Sequence, residues 1–170
     1  MLLSHLLWRA DIDNVVVEQR SREYVEARIR AGVIEQGTSD LLRSLGLGER
    51  MDREGFVHEG VTISNSRSPF RVDFMSLVGC AVMVYGQTEI QKDLYDSGVG
   101  AGWPIIFEAE SVQVHDITDA RPSVSYNLHG VAATIEADYV AGCDGFHGVS
   151  RHAIPSTVRR EFERLYPPNA

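Results

Sequence analysis

The 170-residue chain is poor in lysine, in cysteine and in long apolar runs, and each shortage excludes something. Lys92 is the only lysine among 16 basic residues, which face 24 acids for a formal net charge of −8 with no basic block. Such a chain has little with which to neutralise a phosphate backbone, so general nucleic-acid binding is set aside. The other basic residues are all arginine, whose rigid fork of donors suits phosphate; a genome-wide codon bias explains the ratio equally well. Cys80 and Cys143 are far apart and fit no metal-ligand spacing, so buried, reduced thiols in a cytoplasmic protein are expected. No apolar run approaches membrane length. The opening "MLLSHLLW" lacks the basic leader and small-residue cleavage site of an export signal, and Arg9, Asp11 and Asp13 follow it at once. Internal repeats and low-complexity linkers are missing too.

What is present is globular: 44% hydrophobic residues, 8% aromatic, and a length that suits one domain with a core. Leu2, Leu3, Leu6 and Leu7 recur at helical spacing and predict an apolar helix face, with no N-cap before it. "NVVVE" reads as a short strand buried on both faces and ended by Glu18. Residues 22–45 read as largely helical, with a break at "RAGV" (residues 30–33) and a stop at "LGLG". "VHEGVTIS" and "FRVDF" alternate as a half-buried strand pair. "AVMVYG" is a buried strand running into the helix "QTEIQKDLYDSG". From residue 105 to 140 the pattern is almost wholly strand, with turns at "TDARPS" and "LHG", and "EADYVAG" is a final buried strand. The last segment, "VRREFERLYPPNA", carries Phe162, Leu165 and Tyr166 at helical spacing but ends in two prolines, leaving helix and strand both open. The layout is α/β with an antiparallel subregion.

Two places carry chemistry. In a dinucleotide-binding unit an acid at the end of the second strand bonds ribose hydroxyls, and a glycine-rich turn precedes it by about 20 residues. Glu18 has that acid's context, yet counting back puts the last glycine of the turn just before Met1; a solvated strand-end Glu fits as well. The second place is "AGCDGFHGVSR", residues 141–151, where glycines would let backbone N–H groups approach phosphate without a clashing Cβ. Asp144 with Gly145 is equally an ordinary tight-turn dipeptide. His147 and His152 lack the spacing of a metal pair with Cys143, so no metal is expected.

"IDNVVVEQR", "ARIRAGVIEQGTSDLLR", "VHEGV", "VYGQTE", "DYVAGCDGFHGVSR" and "FERLYP" occur in that order and at matching intervals. In these segments the chain resembles the 4-hydroxybenzoate 3-monooxygenase family of FAD-dependent aromatic hydroxylases. The resemblance spans nearly the whole chain but less than half of a family member. It implies that residues 1–170 are a truncated Rossmann-like FAD-binding domain with an antiparallel β-rich insertion, lacking the first strand, the glycine turn and most of the substrate domain.

By the same resemblance Glu18 would bond the ribose of the FAD adenosine. Arg28, Ile29, Arg30, Ala31, Gly32 and Val33 would run along the cofactor, with Arg28 and Arg30 near the pyrophosphate; alternatively those arginines pair with Glu23, Glu26 or Glu35 on a solvated face. Gln87 would contact the flavin cofactor through its amide. Asp144 and Gly145 match a motif that handles both FAD and NADPH, and His147 and Arg151 match positions on the nicotinamide cofactor's path.

Where the family commonly carries arginine this chain has Gln19, with Arg20 beside it, which leaves NADPH against NADH open. The family reaction uses NADPH and O2 to hydroxylate 4-hydroxybenzoate to 3,4-dihydroxybenzoate, with a small aromatic substrate and, in keeping with the resemblance, a homodimer. None of the phenol-holding residues falls in these 170 positions, so no catalytic residue is named. A non-catalytic nucleotide-binding or interaction module is the competing reading. The chain by itself is expected to fold poorly, to bind FAD weakly or not at all, and to oxidise no NADPH in the presence of 4-hydroxybenzoate. Gel filtration after incubation with FAD checks this, and a monodisperse, stoichiometrically yellow chain would refute it.

Overall fold

The computed structural model describes residues 1–28, 30–64, 68–160 and 162. Ile29 and most of the final "VRREFERLYPPNA" segment, Leu165 and Tyr166 included, lie outside the described residues. Elements follow in the order α1 (Leu2–Arg9), β1 (Val16–Val17), α2 (Arg22–Glu26), β2 (Val33–Glu35), α3 (Gln36–Ser44), α4 (Glu49–Glu54), β3 (Phe56–His58), β4 (Gly60–Ser64), β5 (Pro69–Asp73) and α5 (Phe74–Val78). After these come β6 (Val82–Val84), α6 (Gln87–Gly100), β7 (Ile105–Ile106), β8 (Glu110–His115), β9 (Ser123–Leu128), β10 (Val131–Glu136) and α7 (Ser150–Ala153). They form two compact units, Met1–Phe107 and Glu108–Ala170. The fold is mixed α/β with mostly antiparallel sheets.

In the first unit β6 is the centre of a three-stranded antiparallel sheet, flanked by β2 and β3. Ile34 lies opposite Met83, as does Val57. Ile34 and Met83 turn the same way because cross-strand partners share a face. With Leu42, Met51 and Tyr85 they make the core, and Leu2, Leu47 and Ile90 pack around it. Met51 is wholly buried, worth roughly 1.5–3 kcal/mol for the side chain. β1 pairs in parallel with β7, Val16 opposite Ile105 and Val17 opposite Ile106. β4 and β5 form a separate hairpin sheet. In the second unit β9 is central between β8 and β10. The β9–β10 turn is His129 and Gly130, both at positive φ, as a two-residue hairpin of this twist requires.

Several expectations need correcting. Leu3 and Leu6 of α1 are exposed, and the buried positions are Ser4 and His5. That face carries its polar groups because each finds a partner: Ser4 Oγ donates to Asn14 Oδ1 at 2.6 Å, and His5 Nε2 donates to the Leu94 carbonyl at 2.9 Å. "NVVVE" is a two-residue strand, half-buried rather than buried on both faces, since β7 is its one neighbour among the described residues.

The break at residues 30–33 leads into a strand, β2, so residues 22–45 are two helices separated by sheet. "VHEGVTIS" is divided at Glu59: β3 joins β6, whereas β4 pairs with β5, and both are largely exposed. Tyr139 and Val140 are not a strand, and Tyr139 is nearly fully exposed. Cys80 and Cys143 are both free and exposed instead of buried. No helix among the described residues is long and apolar enough to cross a membrane.

Trp103 meets the His5 ring edge-on at 4.5 Å, and Trp8 stacks on Trp103 at 5.6 Å. Burial lowers the His5 pKa below its ordinary 6.5, against the opposing effect of the Leu94 hydrogen bond. The folded state therefore holds His5 neutral, while the unfolded chain takes up a proton near pH 6.5. This contribution to stability is complete above that value and is lost as pH falls through the lowered folded pKa. Urea midpoints followed by tryptophan fluorescence are expected to drop between pH 8 and pH 5.5, and His5→Gln is expected to flatten that drop.

Candidate functional site

Ser21 caps α2 by accepting from the Tyr24 amide, and the helix ends at Glu26. The chain then runs past the start of α6. Tyr85 N–H donates to the Gly32 carbonyl at 2.7 Å and Gln87 N–H donates to the Ala31 carbonyl at 3.1 Å, extending the β2–β6 ladder backwards to the first residue of the helix. A Cβ on Gly32 would stand 3.2 Å from the Gly86 Cα, so the absence of a side chain is what lets the two backbones meet this closely. Val33 follows as the first residue of β2 and is exposed.

Around this junction the side chains are donors. Arg28 and Arg30 are exposed; Arg28 Nη1 donates to the Tyr24 hydroxyl at 3.2 Å, and Arg30 makes no hydrogen bond or ion pair among the described residues. Neither arginine pairs there with Glu23, Glu26 or Glu35; Glu26 instead binds Arg22 at 2.6 Å. Gln87 is exposed and opens a 14-residue helix whose N-terminal end carries partial positive charge. Arg30, next to Ala31, the Gln87 amide and the N-terminus of α6 thus offer donors at one junction, a combination that suits an anion.

Glu18 sits just past β1. Its N–H donates to the Ile106 carbonyl at 2.8 Å, and its Oε1 accepts from the Arg20 N–H at 2.8 Å. Its carboxylate acts on Tyr95 of α6, whose hydroxyl is pushed up to about 12 by burial first and by Glu18 second. Tyr95 lies eight residues beyond Gln87, about 12 Å along the helix. The structure thus brings Arg30, Ala31, Gly32 and Gln87 together directly, while Glu18, just past β1, acts on α6 at Tyr95, about two turns beyond Gln87.

A group that the sequence did not disclose lies behind the junction. Arg50 of α4 donates to Glu54 Oε2 at 3.0 Å, to Asp93 Oδ1 at 2.9 Å and to Glu89 Oε2. Asp93 Oδ2 accepts from the Tyr85 hydroxyl at 2.7 Å, and Glu89 Oε1 accepts from Lys92 at 2.9 Å. Burial and the bond to Asp93 push the Tyr85 hydroxyl well above its ordinary range. Lys92 and Arg50 hold the Glu89 carboxyl low. The spacing of Glu89 and Asp93 places both on one helix face, but their partner on α4 is visible only in three dimensions.

In the second unit the loop of residues 141–151 is built around Asp144. Its Oδ2 accepts from the Ser150 N–H at 2.8 Å and from Ser150 Oγ at 2.9 Å. Partial burial raises the Asp144 carboxyl, but the Ser150 bonds outweigh it and hold the group below the ordinary range. Gly145 has φ +71°, and a Cβ on Gly148 would fall 1.9 Å from the Asp144 Cγ. Arg151 Nη1 donates to the Phe146 carbonyl at 3.0 Å and its guanidinium lies over the Phe146 ring, while His147 is exposed. The loop is therefore a tight turn, with His147 exposed and Arg151 half-buried and bonded back into it.

These features belong to a mixed α/β protein with exposed donors at the start of α6. Over residues 1–170 the chain matches the family model of the FAD binding domain, and it belongs to that family. It is 44% identical over 168 residues to the p-hydroxybenzoate hydroxylase of Acinetobacter baylyi, a match that covers 98% of this chain and 41% of that protein. The chain thus spans about two fifths of that relative's length.

The fold is shared with p-nitrophenol 4-monooxygenase of Pseudomonas putida, with a TM-score of 0.76 and 17% identity over 90% of this chain and 40% of that one. It is shared also with anhydrotetracycline hydroxylase of Streptomyces rimosus, with a TM-score of 0.69 and 22% identity over 85% of this chain and 29% of that one. Gly148→Ala is expected to drive the Asp144 carboxylate off Ser150 and to raise amide hydrogen exchange at Ser150 about tenfold, the equivalent of about 1.4 kcal/mol. Unchanged exchange there would refute the account of this loop.

Proposed function

We propose that this chain supplies the adenosine and pyrophosphate grip on FAD within a flavin-dependent aromatic hydroxylase acting on 4-hydroxybenzoate. The observation that carries the reading is the backbone junction of Ala31 and Gly32 with Tyr85 and Gln87, beside exposed Arg28 and Arg30. In this reading Glu18 accepts from the ribose hydroxyls. The stretch Arg28, Ile29, Arg30, Ala31, Gly32 and Val33 follows the cofactor, its two guanidinium groups neutralising pyrophosphate oxygens. Gln87 offers its side-chain amide from the first turn of α6. Asp144 and Gly145 serve FAD and the reducing nicotinamide cofactor, and His147 and Arg151 line the path of the latter.

When bound, FAD supplies hydride acceptance and oxygen activation for hydroxylation of the ring. The chain's own residues bind and orient it. The reductant is NADPH or NADH, the substrate a small aromatic acid, the compartment the cytoplasm and the assembly a homodimer. Similarity to the Acinetobacter hydroxylase over nearly the whole chain supports this choice of reaction.

Exchanging this chain for the matching stretch of the Acinetobacter enzyme tests the reading. The hybrid is expected to purify yellow with stoichiometric FAD. Arg30→Ala is expected to weaken FAD at least tenfold, because a hydrogen bond to a charged group is worth about 1.5–3 kcal/mol. A folded but colourless hybrid, or one whose affinity ignores Arg30→Ala, would overturn it.

A further inference from the structure

We propose that Arg50 is the positioning residue of this site: from α4 it clamps the first turns of α6 and, through Asp93, Tyr85, and so sets the Tyr85-to-Gln87 turn against Ala31 and Gly32. The proposal rests on the reading of that junction as the cofactor grip. Its basis is geometric. Glu89 and Asp93 are one helical turn apart on α6, and a single guanidinium reaches both while also engaging Glu54 on its own helix.

Asp93 spends its second oxygen on the Tyr85 hydroxyl, 2.7 Å away, and the Arg50 guanidinium lies over the Tyr85 ring at 5.9 Å. Tyr85 is the residue whose N–H donates to Gly32, and Gln87, two positions on, donates to Ala31. A chain of direct contacts thus runs from Arg50 through Asp93 and the Tyr85 side chain to the two backbone bonds that hold the segment bearing Arg28 and Arg30. The Tyr85 ring is buried in the core, so its hydroxyl has no freedom to follow Asp93 elsewhere.

The planar fork is what the position demands. Its Nε, Nη1 and Nη2 each meet a different carboxylate, an arrangement that the point charge of lysine does not reproduce. By contrast Arg53, three residues further along α4, pairs only with Glu49 and Glu54 among the described residues, with no ion pair or hydrogen bond to α6 there. It is the matched control.

The test reads the junction without flavin and then with it. Hydrogen exchange of the flavin-free hybrid enzyme is measured by mass spectrometry over Tyr85 and Gln87, with the β9–β10 hairpin as internal reference. Arg50→Met is expected to speed exchange at those two amides about tenfold and to leave the hairpin unchanged; Arg50→Lys recovers part of the protection and Arg53→Met changes nothing. In the hybrid enzyme Arg50→Met is expected to weaken FAD about tenfold.

Should Arg50→Met fail to fold, Tyr85→Phe removes a single hydrogen bond and is expected to produce the same local effect, about threefold. Exchange that is unchanged at Tyr85 and Gln87, or raised equally in the hairpin, overturns the positioning role. So does local loosening with FAD affinity intact in a hybrid that binds flavin. If the wild-type hybrid takes up no flavin, the cofactor reading is what fails, and Arg50's link to FAD falls with it, even where the local exchange effect appears.

Discussion

Pairing of Val33–Glu35 with Val82–Val84 is the constraint from which the rest of the first unit follows. Its register sets Ile34 against Met83 and turns both toward Leu42, Met51 and Tyr85, so that a small apolar core closes under the sheet. Shifting one strand by a single residue would put Ile34 and Met83 on opposite faces and empty that core. The same register, carried two residues further back, delivers Ala31 and Gly32 to the start of α6. Packing and site geometry are thus set by one interaction, and a change that loosens the first moves the second.

Electrostatics in this unit divide by burial. Arg43, with Asp40 and Asp52, and Arg53, with Glu49 and Glu54, are surface clusters on well-exposed side chains, each pair worth about 0–1 kcal/mol. The Arg50 cluster differs in reach rather than in number. Two of its three carboxylates belong to a different helix, Asp93 is only 17% exposed, and a buried tyrosine hydroxyl shares that carboxylate. Removing one member leaves the others partly desolvated without a partner, which costs more than an exposed pair contributes. Asp144 in the second unit is satisfied by a different device, a close turn in which Gly148 leaves room for a carboxylate that bonds Ser150.

What the residues alone determined is local. The buried strand "AVMVYG" followed at once by a long helix, the strands and turns between residues 105 and 136, and the stop of α3 before "LGLG" are legible because apolar periodicity and glycine act within a few residues of chain. The segments of the two candidate sites stand out in the same way: Arg28, Arg30 and Gly32 lie in one short stretch, and Asp144 lies in another. Of the two readings of Asp144 with Gly145, the turn is the one described by the loop's own bonds, in which Ser150 and Arg151 donate back into the loop.

Only the tertiary structure decided which faces are covered. Spacing placed four leucines on one side of α1, yet α6 and Trp103 meet the side bearing Ser4 and His5, where hydrogen bonds to Asn14 and Leu94 make burial of polar groups tolerable. The three valines before Glu18 looked buried on both faces, but burial requires a neighbour on each side, and β7 is the one found among the described residues. Cysteines predicted inside are outside for the same reason. Arg50 was invisible as anything but one more charge, because its meaning depends on Glu89 and Asp93, 39 and 43 residues away. A sequence pattern states what a residue can do with its near neighbours; only the folded chain supplies the distant partner that decides it.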